Sequence, residues 1–182
     1  MGEQPMKPFK PFCTITKHRH KVIAHCFQAG IFWQGLGHDL SKYSLAEFVP
    51  GAKYYQGTRS PGEAQRESEG YSNMWLHHQG RNKHHYEYWF DYVPAARAYA
   101  AVKMPVRYVA EMLCDRMAAC KTYQKEKYTD ASALAYFMRG QARSRMHPET
   151  AALLESWLRT LAEKGEREAF AAVKAAVKKK QY

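Results

Sequence analysis

The segment Gly35-Leu36-Gly37-His38-Asp39-Leu40-Ser41-Lys42 places an imidazole and a carboxylate side by side, with a lysine three residues later. Both groups bind transition metals such as Zn, Fe, Mn and Ni, so this pair is half of a plausible metal site. A His-Asp dipeptide alone is weak evidence, because such pairs arise by chance. Seven of the other eight histidines, however, lie between His18 and His85. This clustering favours a metal-binding role for the pair.

Length and composition predict one intracellular domain. The chain has 182 residues, enough to bury a hydrophobic core without disulfides. Its four cysteines form no Cys-x-x-Cys pair, and three of them stand in apolar stretches, which favours packed thiols in a reducing compartment. The polar, proline-rich lead-in over residues 1–13 contains no apolar signal segment, and no run reaches membrane-spanning length. We therefore expect a soluble, cytoplasmic protein that makes no membrane contact.

The chain is strongly basic, with a net charge of +11 from 28 basic and 17 acidic residues. This balance permits anionic substrates or partners. Part of the excess lies in the C-terminal tail, at Lys174, Lys178, Lys179 and Lys180. We interpret these lysines as the solvated face of a helix. Nucleic-acid binding through the tail is the less favoured alternative, because no zinc-finger spacing or other nucleic-acid signature accompanies it.

Outward from the His-Asp pair, a first helix is predicted over residues 14–29, capped by Thr14 or Thr16. Three histidines are spread around it, so they cannot all face one site. The inward-facing one is predicted to be His20, which shares a face at helical spacing with Ile23, Ala24 and Phe27. His18 and His25, seven residues apart, share a different face and remain alternatives as the first ligand.

The segment after the pair begins with Ser44-Leu45-Ala46-Glu47, which has the pattern of a capping box. It predicts a short helix that ends at Pro50. Residues 51–70 show poor periodicity and predict an ordered loop, which could cover a functional site. Arg59 in this loop is a candidate for binding an anionic substrate group, although a simply exposed arginine is the preferred interpretation.

The densest group of potential ligands consists of two pairs, His77-His78 and His84-His85. The pairs are seven residues apart, so they could lie on one face of a single helix, or one pair could end a helix and the other begin the next. Gly80 and Asn82, which lie between the pairs, favour the second arrangement. Either arrangement can aim one imidazole from each pair at a common centre. Flanking apolar and aromatic residues argue against a histidine-rich surface loop.

A long helix is predicted from Pro105 through Tyr123. Its anomaly is Asp115, a carboxylate within an apolar stretch, and Glu111 lies one turn earlier on the same face, where it could support a ligand. The alternative for Asp115 is an exposed or cation-paired carboxylate. Three further helices are predicted as packing scaffold, at residues 130–146, 148–163 and 166–178. We see no run of β-strands.

In chain order these candidates resemble the signature of the HD-domain superfamily: a helical histidine, a His-Asp pair, often further histidines, and a distal helical aspartate. Lys42 stands where many members of that superfamily carry a lysine. More narrowly, the motif with Glu47-Phe48 and His84-His85-Tyr86-Glu87-Tyr88-Trp89 resembles an uncharacterised bacterial and phage family sometimes labelled catalase. No tyrosine or cysteine is placed as a haem ligand, so that label finds no support. The resemblance covers residues 14–125.

The resemblance implies an all-α, HD-domain-like helical bundle with a metal site in its core. The surplus histidines imply two divalent transition-metal ions (Fe, Mn, Ni, Co or Zn) with Asp39 bridging them. The implied ligands are His20, His38, Asp39, His78, His85 and Asp115, with His77 and His84 as alternates.

The implied activity is hydrolysis of a nucleotide or other phosphorylated small molecule by a metal-activated water. Lys42, with Arg59, Arg81 or Lys83, is expected to neutralise phosphate charge. Asp39 is expected to hold the metals, and Glu87 or Glu111 to orient a ligand or move protons. One alternative is an HD-type di-iron oxygenase that cleaves C–C or C–P bonds. Another is a non-catalytic HD-like binding protein.

Overall fold

The structure, a computed structural model, describes residues 9–180 and is built almost entirely of α-helices, which confirms the predicted all-α class. Within the described residues the helices are α1 Phe9–Gln28, α2 Phe32–Leu36, α3 Leu45–Lys53, α4 Pro61–Glu69, α5 Asn73–Gln79, α6 Val106–Gln124, α7 Ser132–Arg139, α8 Ala142–Arg145, α9 Pro148–Lys164 and α10 Glu166–Lys179. The strands are β1 Phe90–Val93 and β2 Ala98–Ala101.

Helix α6 forms the centre of the hydrophobic core, and α1, α7, α9 and α10 pack around it. Its buried residues include Val109, Leu113 and Met117, which are four apart and therefore lie on one face. Leu154 and Leu158 of α9 are fully buried in the same core. Burial of each such side chain stabilises the fold by about 1.5–3 kcal/mol, so α6 is a rigid platform for the polar residues that it carries.

Helix α1 begins at Phe9, five residues before the predicted start. The predicted extended lead-in is therefore wrong for residues 9–13, and residues 1–8 lie outside the described chain. Pro11 is accommodated because a proline in the first turn loses no intrahelical hydrogen bond. Thr14 and Thr16 do not cap the helix; their hydroxyls bond those of Tyr55 and Tyr43, at 2.7 and 2.9 Å.

The predicted loop over residues 51–70 is also wrong, because α3 continues past Pro50 and α4 fills much of the segment. Helix α4 begins at Pro61 and ends before Gly70, whose φ of +80° suits a glycine. Few apolar residues mark its buried face. It instead buries Gln65, which accepts a hydrogen bond from the Ser72 hydroxyl at 2.8 Å.

No run of β-strands was expected, and the described residues contain one short hairpin. Strands β1 and β2 pair antiparallel, with Phe90 opposite Ala101 and Val93 opposite Ala98, and form a largely exposed hairpin away from the core. Nearer the C-terminus, the helix predicted over 130–146 is interrupted at Gly140, which is extended and separates α7 from α8. Helices α9 and α10 match their predictions closely.

The cysteines in the described chain are all free thiols, and Cys26, Cys114 and Cys120 are buried in apolar packing, as expected. The tail lysines of α10 are exposed, while Phe170 and Val173 on its other face are buried. None of the helices in residues 9–180 combines the length and apolar character needed to cross a lipid bilayer.

Candidate metal centre

Close contact between α1 and α2 sets the position of the His38-Asp39 pair. Gly35 of α2 packs so tightly against α1 that a Cβ at this position would stand 2.5 Å from Cys26 Cβ. Real Cβ atoms do not approach so closely, so this contact requires glycine. The chain leaves α2 at Gly37 and immediately presents His38 and Asp39 to the interior, each only 1 % exposed.

The backbone of the pair is held in an uncommon conformation. Asp39 has φ +53° and ψ +27°, in the left-handed region, which aspartate tolerates better than most non-glycine residues. Arg19 of α1 fixes this turn from outside, because its Nε donates to the His38 carbonyl at 2.8 Å and a terminal nitrogen donates to the Leu36 carbonyl at 2.7 Å. The turn is thereby tied to the helix that carries His18.

Two groups of potential ligand atoms meet at Asp39. In each group the atoms lie within 4.8 Å of one another. The first group consists of His18, His38, Asp39 and Asp115. In it, His18 Nε2 lies 3.0 Å from Asp115 Oδ1, and His38 Nε2 lies 3.3 Å from Asp39 Oδ2. Helices α1 and α6 thus bring together residues that are far apart in the sequence.

The second group consists of Asp39, His78, His84 and His85. Here the other oxygen of the aspartate, Oδ1, lies 3.3 Å from His78 Nε2 and 3.5 Å from His84 Nε2. His78 lies in the last turn of α5, while His84 and His85 precede a 3-10 turn at Tyr86–Tyr88, the arrangement that Gly80 and Asn82 favoured. Asp39 therefore offers one carboxylate oxygen to each group.

Several of the atoms that face the centre lack hydrogen bonds. Five of them are buried without a hydrogen-bond partner: Nε2 of His38, His78, His84 and His85, and Oδ1 of Asp39. The other carboxylate oxygen, Oδ2, is also buried and has Lys42 Nζ at 2.7 Å. Buried polar atoms are costly when unpaired, so native proteins nearly always satisfy them. Imidazole nitrogens and carboxylate oxygens are ligands of divalent transition metals. This cluster can therefore hold metal ions, which would supply the missing partners.

Glu111 of α6 orients two of the rings from behind. Its Oε1 lies 2.8 Å from His38 Nδ1 and 3.2 Å from His84 Nδ1, and Gln34 donates to its other oxygen. Glu111 also forms a third close group with these two histidines, but through the Nδ1 atoms. We interpret it as a hydrogen-bond acceptor, because ligating histidines commonly donate their second N–H to a carboxylate.

Glu47 plays the same part for the second group. Its two oxygens lie 2.7 Å from Nδ1 of His77 and 2.7 Å from Nδ1 of His78. The predicted capping box is therefore wrong: Ser44 occupies the N-cap position, but its side chain makes no capping bond, and Glu47 turns inward instead. His77 contacts the outer oxygen of Glu47 and stands outside both ligand groups.

Electrostatics favour ionised carboxylates in this buried cluster. Burial disfavours the charge on Asp39, but His38 and Lys42 outweigh that effect and hold the pKa of Asp39 well below its usual range. Burial also opposes ionisation of Glu111, yet hydrogen bonds from His38 and His84 lower its pKa to about 2. Burial lowers the pKa of His85, which favours the neutral imidazole that binds metals.

The structure replaces His20 by His18 as the first candidate ligand. His20 is exposed on α1, whereas His18 is buried against Asp115. The buried stripe of α1 contains Val22 and Cys26, so His18, one turn before Val22, faces inward. Phe27, which supported the choice of His20, is 68 % exposed. His25 is buried elsewhere, with Nδ1 donating to the Cys114 carbonyl at 3.2 Å.

The other predicted ligands divide as follows. His38, Asp39, His78, His85 and Asp115 all belong to the two groups, and so does the alternate His84. The alternate His77 does not. Lys42 lies at the edge of the cluster, where its Nζ is 2.7 Å from Asp39 Oδ2. The sequence pattern offered no means of choosing between the members of each histidine pair.

A cavity of about 500 Å³ opens beside the cluster and is bordered by His84, His85 and Asp115. Arg59 lines it, but its guanidinium is already paired with Glu67, at 2.5 Å. Arg81 and Lys83, also expected to bind substrate, are exposed and do not line this cavity, so their predicted role is not supported by position.

Glu87 and Arg116 also line the cavity, and each keeps a buried polar atom without a partner, Oε2 of Glu87 and Nε of Arg116. Burial raises the pKa of Glu87, so this side chain can keep a proton at a higher pH than an exposed glutamate. Glu87 was one of the residues expected from the sequence to move protons. Arg116 was not expected at the site, because an arginine beside Asp115 is most simply interpreted as the ion-pair partner of that aspartate.

Comparison with known proteins places the chain in a family without assigning an activity. The chain matches no curated protein and no solved structure. A family model does match residues 7–160, a span that contains both ligand groups, both supporting glutamates and the turn around Asp39. On this match the chain belongs to DUF5662, a family of unknown function.

Proposed function

We propose that the protein is a metal-dependent hydrolase that acts on a nucleotide or another phosphorylated small molecule. The observation that carries the proposal is the shared carboxylate: Asp39 faces two ligand groups at once, through different oxygens. A single carboxylate between two His-rich groups suits two ions held a few ångströms apart. The order of His18, His38-Asp39 and Asp115 along the chain supports the resemblance to HD-domain enzymes.

Divalent ions bound here would lower the pKa of a coordinated water and neutralise charge on phosphoryl oxygens. The protein residues would do the rest. Glu47 and Glu111 hold the histidine rings in the orientation that turns Nε2 toward the centre. Lys42, which is half-buried at the edge of the cluster, would offset phosphate charge, and Glu87 would hold a proton for the leaving group from within the cavity.

Metal analysis tests the proposal first. We expect about two equivalents of transition metal in protein purified without an affinity tag or chelator. Asp39→Asn keeps the shape of the side chain but removes the shared charge, so it should lose metal from both groups. Asp91→Asn, in the exposed strand β1, is the matched control and should keep the wild-type metal content.

Activity is tested next, by phosphate release from a panel of nucleotides and phosphorylated metabolites. The metal-loaded protein should hydrolyse at least one class. Asp39→Asn should reduce that rate by about 100-fold or more, because losing even an outer partner of a metal ligand typically costs about 10–100-fold. Wild-type metal content in Asp39→Asn would refute the site. Full metal occupancy without any phosphate release would refute the proposed reaction.

Metal analysis also separates the two alternative functions, an oxygenase and a non-catalytic binding protein. The donor set of the two groups also suits a di-iron oxygenase, which would contain two equivalents of iron, show a charge-transfer band and consume oxygen. A binding protein would contain little metal and take up none on reconstitution. We favour hydrolysis because the cavity beside the cluster carries cationic side chains suited to a phosphorylated substrate.

A further inference from the structure

The cavity beside the metal centre is longer than a lone phosphate needs. It follows a partly buried side of α6 from Asp115 through Ala119 to Tyr123. The eight helical steps from Asp115 to Tyr123 span about 12 Å at 1.5 Å per residue. Its lining includes the candidate ligands His84 and His85 as well as residues of α7 and the turn after it. A ligand that fills this space extends well beyond the cluster.

Three arginines line the cavity, and they differ in the contacts that their guanidinium groups already make. Arg59 is paired in bidentate fashion with Glu67, through two contacts of 2.5 Å. The guanidinium of Arg66 lies over the Trp75 ring, 5.4 Å from its centre. Arg116 has no hydrogen-bond partner for its buried Nε in residues 9–180. Arg66 is exposed to solvent, which can hydrate its charge, whereas the Arg116 side chain is partly buried with an unpartnered Nε. Arg116 is therefore the arginine that gains most from an anionic ligand.

The position of Arg116 is well defined. Its guanidinium carbon lies 5.5 Å from the centre of the Phe137 ring, a cation–π contact that holds the group in the cavity. Its neighbour in sequence, Asp115, belongs to the first ligand group, so one turn of α6 carries both a metal ligand and a free cation. A planar guanidinium binds carboxylate and phosphate oxygens in bidentate geometry.

We infer that the substrate carries two oxyanions, a reacting phosphoryl group at the His/Asp cluster and a second carboxylate or phosphate bound by Arg116. The inference rests on the proposed function for the first anion and on the unpartnered guanidinium for the second. It narrows the substrate class to small molecules with two anionic groups separated by a short linker. Arg116 then selects the substrate without taking part in bond cleavage.

Non-hydrolysable phosphonates test the inference by binding alone. The probes are phosphonoacetate, 3-phosphonopropionate and 4-phosphonobutyrate, each compared with the alkylphosphonate of the same chain length, which lacks the carboxylate. Calorimetry on the metal-loaded full chain should give at least one pair in which the carboxylate strengthens binding about tenfold or more, the value of a charge-assisted bidentate contact.

In Arg116→Gln, the ratio of the two affinities within each pair of probes should fall close to one. Arg116→Lys keeps the charge but not the planar group that binds in bidentate geometry, so it should retain part of the difference. Arg81→Gln, outside the cavity, is the control and should keep the wild-type ratio. Metal content in Arg116→Gln should equal that of the wild type, which shows that the variant folds.

The outcomes separate this inference from the proposed function. A ratio near one for every pair in the wild type, or a ratio that survives in Arg116→Gln, overturns the second-anion site. So does the failure of every probe to bind. If instead the carboxylate probes bind through Arg116 but their affinity is unchanged by metal removal or by Asp39→Asn, the arginine site stands and the proposed metal-dependent function fails.

Discussion

His18 and His20 stand two positions apart on α1 in opposite surroundings, and they form a natural pair of test and control. His18→Gln removes a ring nitrogen that lies 3.0 Å from Asp115, so the first group should lose its ion and metal content should fall by about half. His20→Gln changes an exposed side chain and should leave metal content unchanged. Equal metal content in the two variants would contradict the assignment of His18.

His25 gives a pH prediction that does not involve the metal centre. It is buried, and burial, together with the charge of Lys121, lowers its pKa to about 4. Because the folded-state pKa is below the unfolded value, the unfolded state binds the proton more readily. Stability is therefore full above about pH 6.5 and falls as the pH drops toward 4, by up to about 3 kcal/mol at 1.36 kcal/mol per pH unit.

The measurement is urea unfolding of wild type and His25→Gln between pH 7.5 and 4.5, in chelator so that metal binding does not contribute. The variant lacks the titrating group, so its unfolding free energy should fall less steeply with acid than that of the wild type. The difference between the two proteins cancels the contributions of the other histidines. A difference that stays constant over this pH range would contradict the prediction.

At the scale of whole elements, the contact between α1 and α2 decides whether the His-Asp turn faces inward. Gly35→Ala would place a Cβ 2.5 Å from Cys26 Cβ, and relieving such overpacking costs about 1–3 kcal/mol. The displaced turn should also bind metal more weakly. Gly37→Ala is the control, because a Cβ there meets only the Gln34 carbonyl oxygen at 3.5 Å, an ordinary contact. Thermal unfolding and metal analysis distinguish the two variants, and equal effects would refute the packing argument.

Apolar periodicity predicted the elements whose burial it reflects. The long helix with Asp115 and the two helices after His147 lie close to their predicted positions. Periodicity failed for α4, whose buried face is held by hydrogen bonds of Gln65 rather than by apolar residues. The capping-box prediction failed for a related reason. Ser44 and Glu47 fit that local pattern, but Glu47 instead forms tertiary hydrogen bonds with His77 and His78.

The site likewise contains residues that could be predicted from the sequence and residues that could not. The His-Asp pair, the two histidine pairs and Asp115 are recognisable from residue type and spacing, and the structure brings members of all of them together. The choice of His18 over His20 depends on the rotation of α1 about its axis. The sequence does not determine this rotation, because more than one face of α1 is partly apolar. The supporting role of Glu47 and the position of the Arg116 guanidinium depend on contacts between residues more than 20 positions apart, for which local sequence carries no signal.

For the whole molecule, the centre joins α1, the turn after α2, α5, the turn before β1 and α6 at one point. A metal ion bound only by the folded chain stabilises that chain by RT ln(1 + [M]/Kd), about 2.7 kcal/mol at 100 times Kd. The thermal midpoint should therefore rise with metal concentration and fall in chelator. In Asp39→Asn the thermal midpoint should no longer depend on metal concentration, while Asp91→Asn should show the full dependence. A wild-type midpoint that ignores both metal and chelator would mean that the ligand atoms around Asp39 do not bind an ion in the folded state, and the two-metal proposal would fall with it.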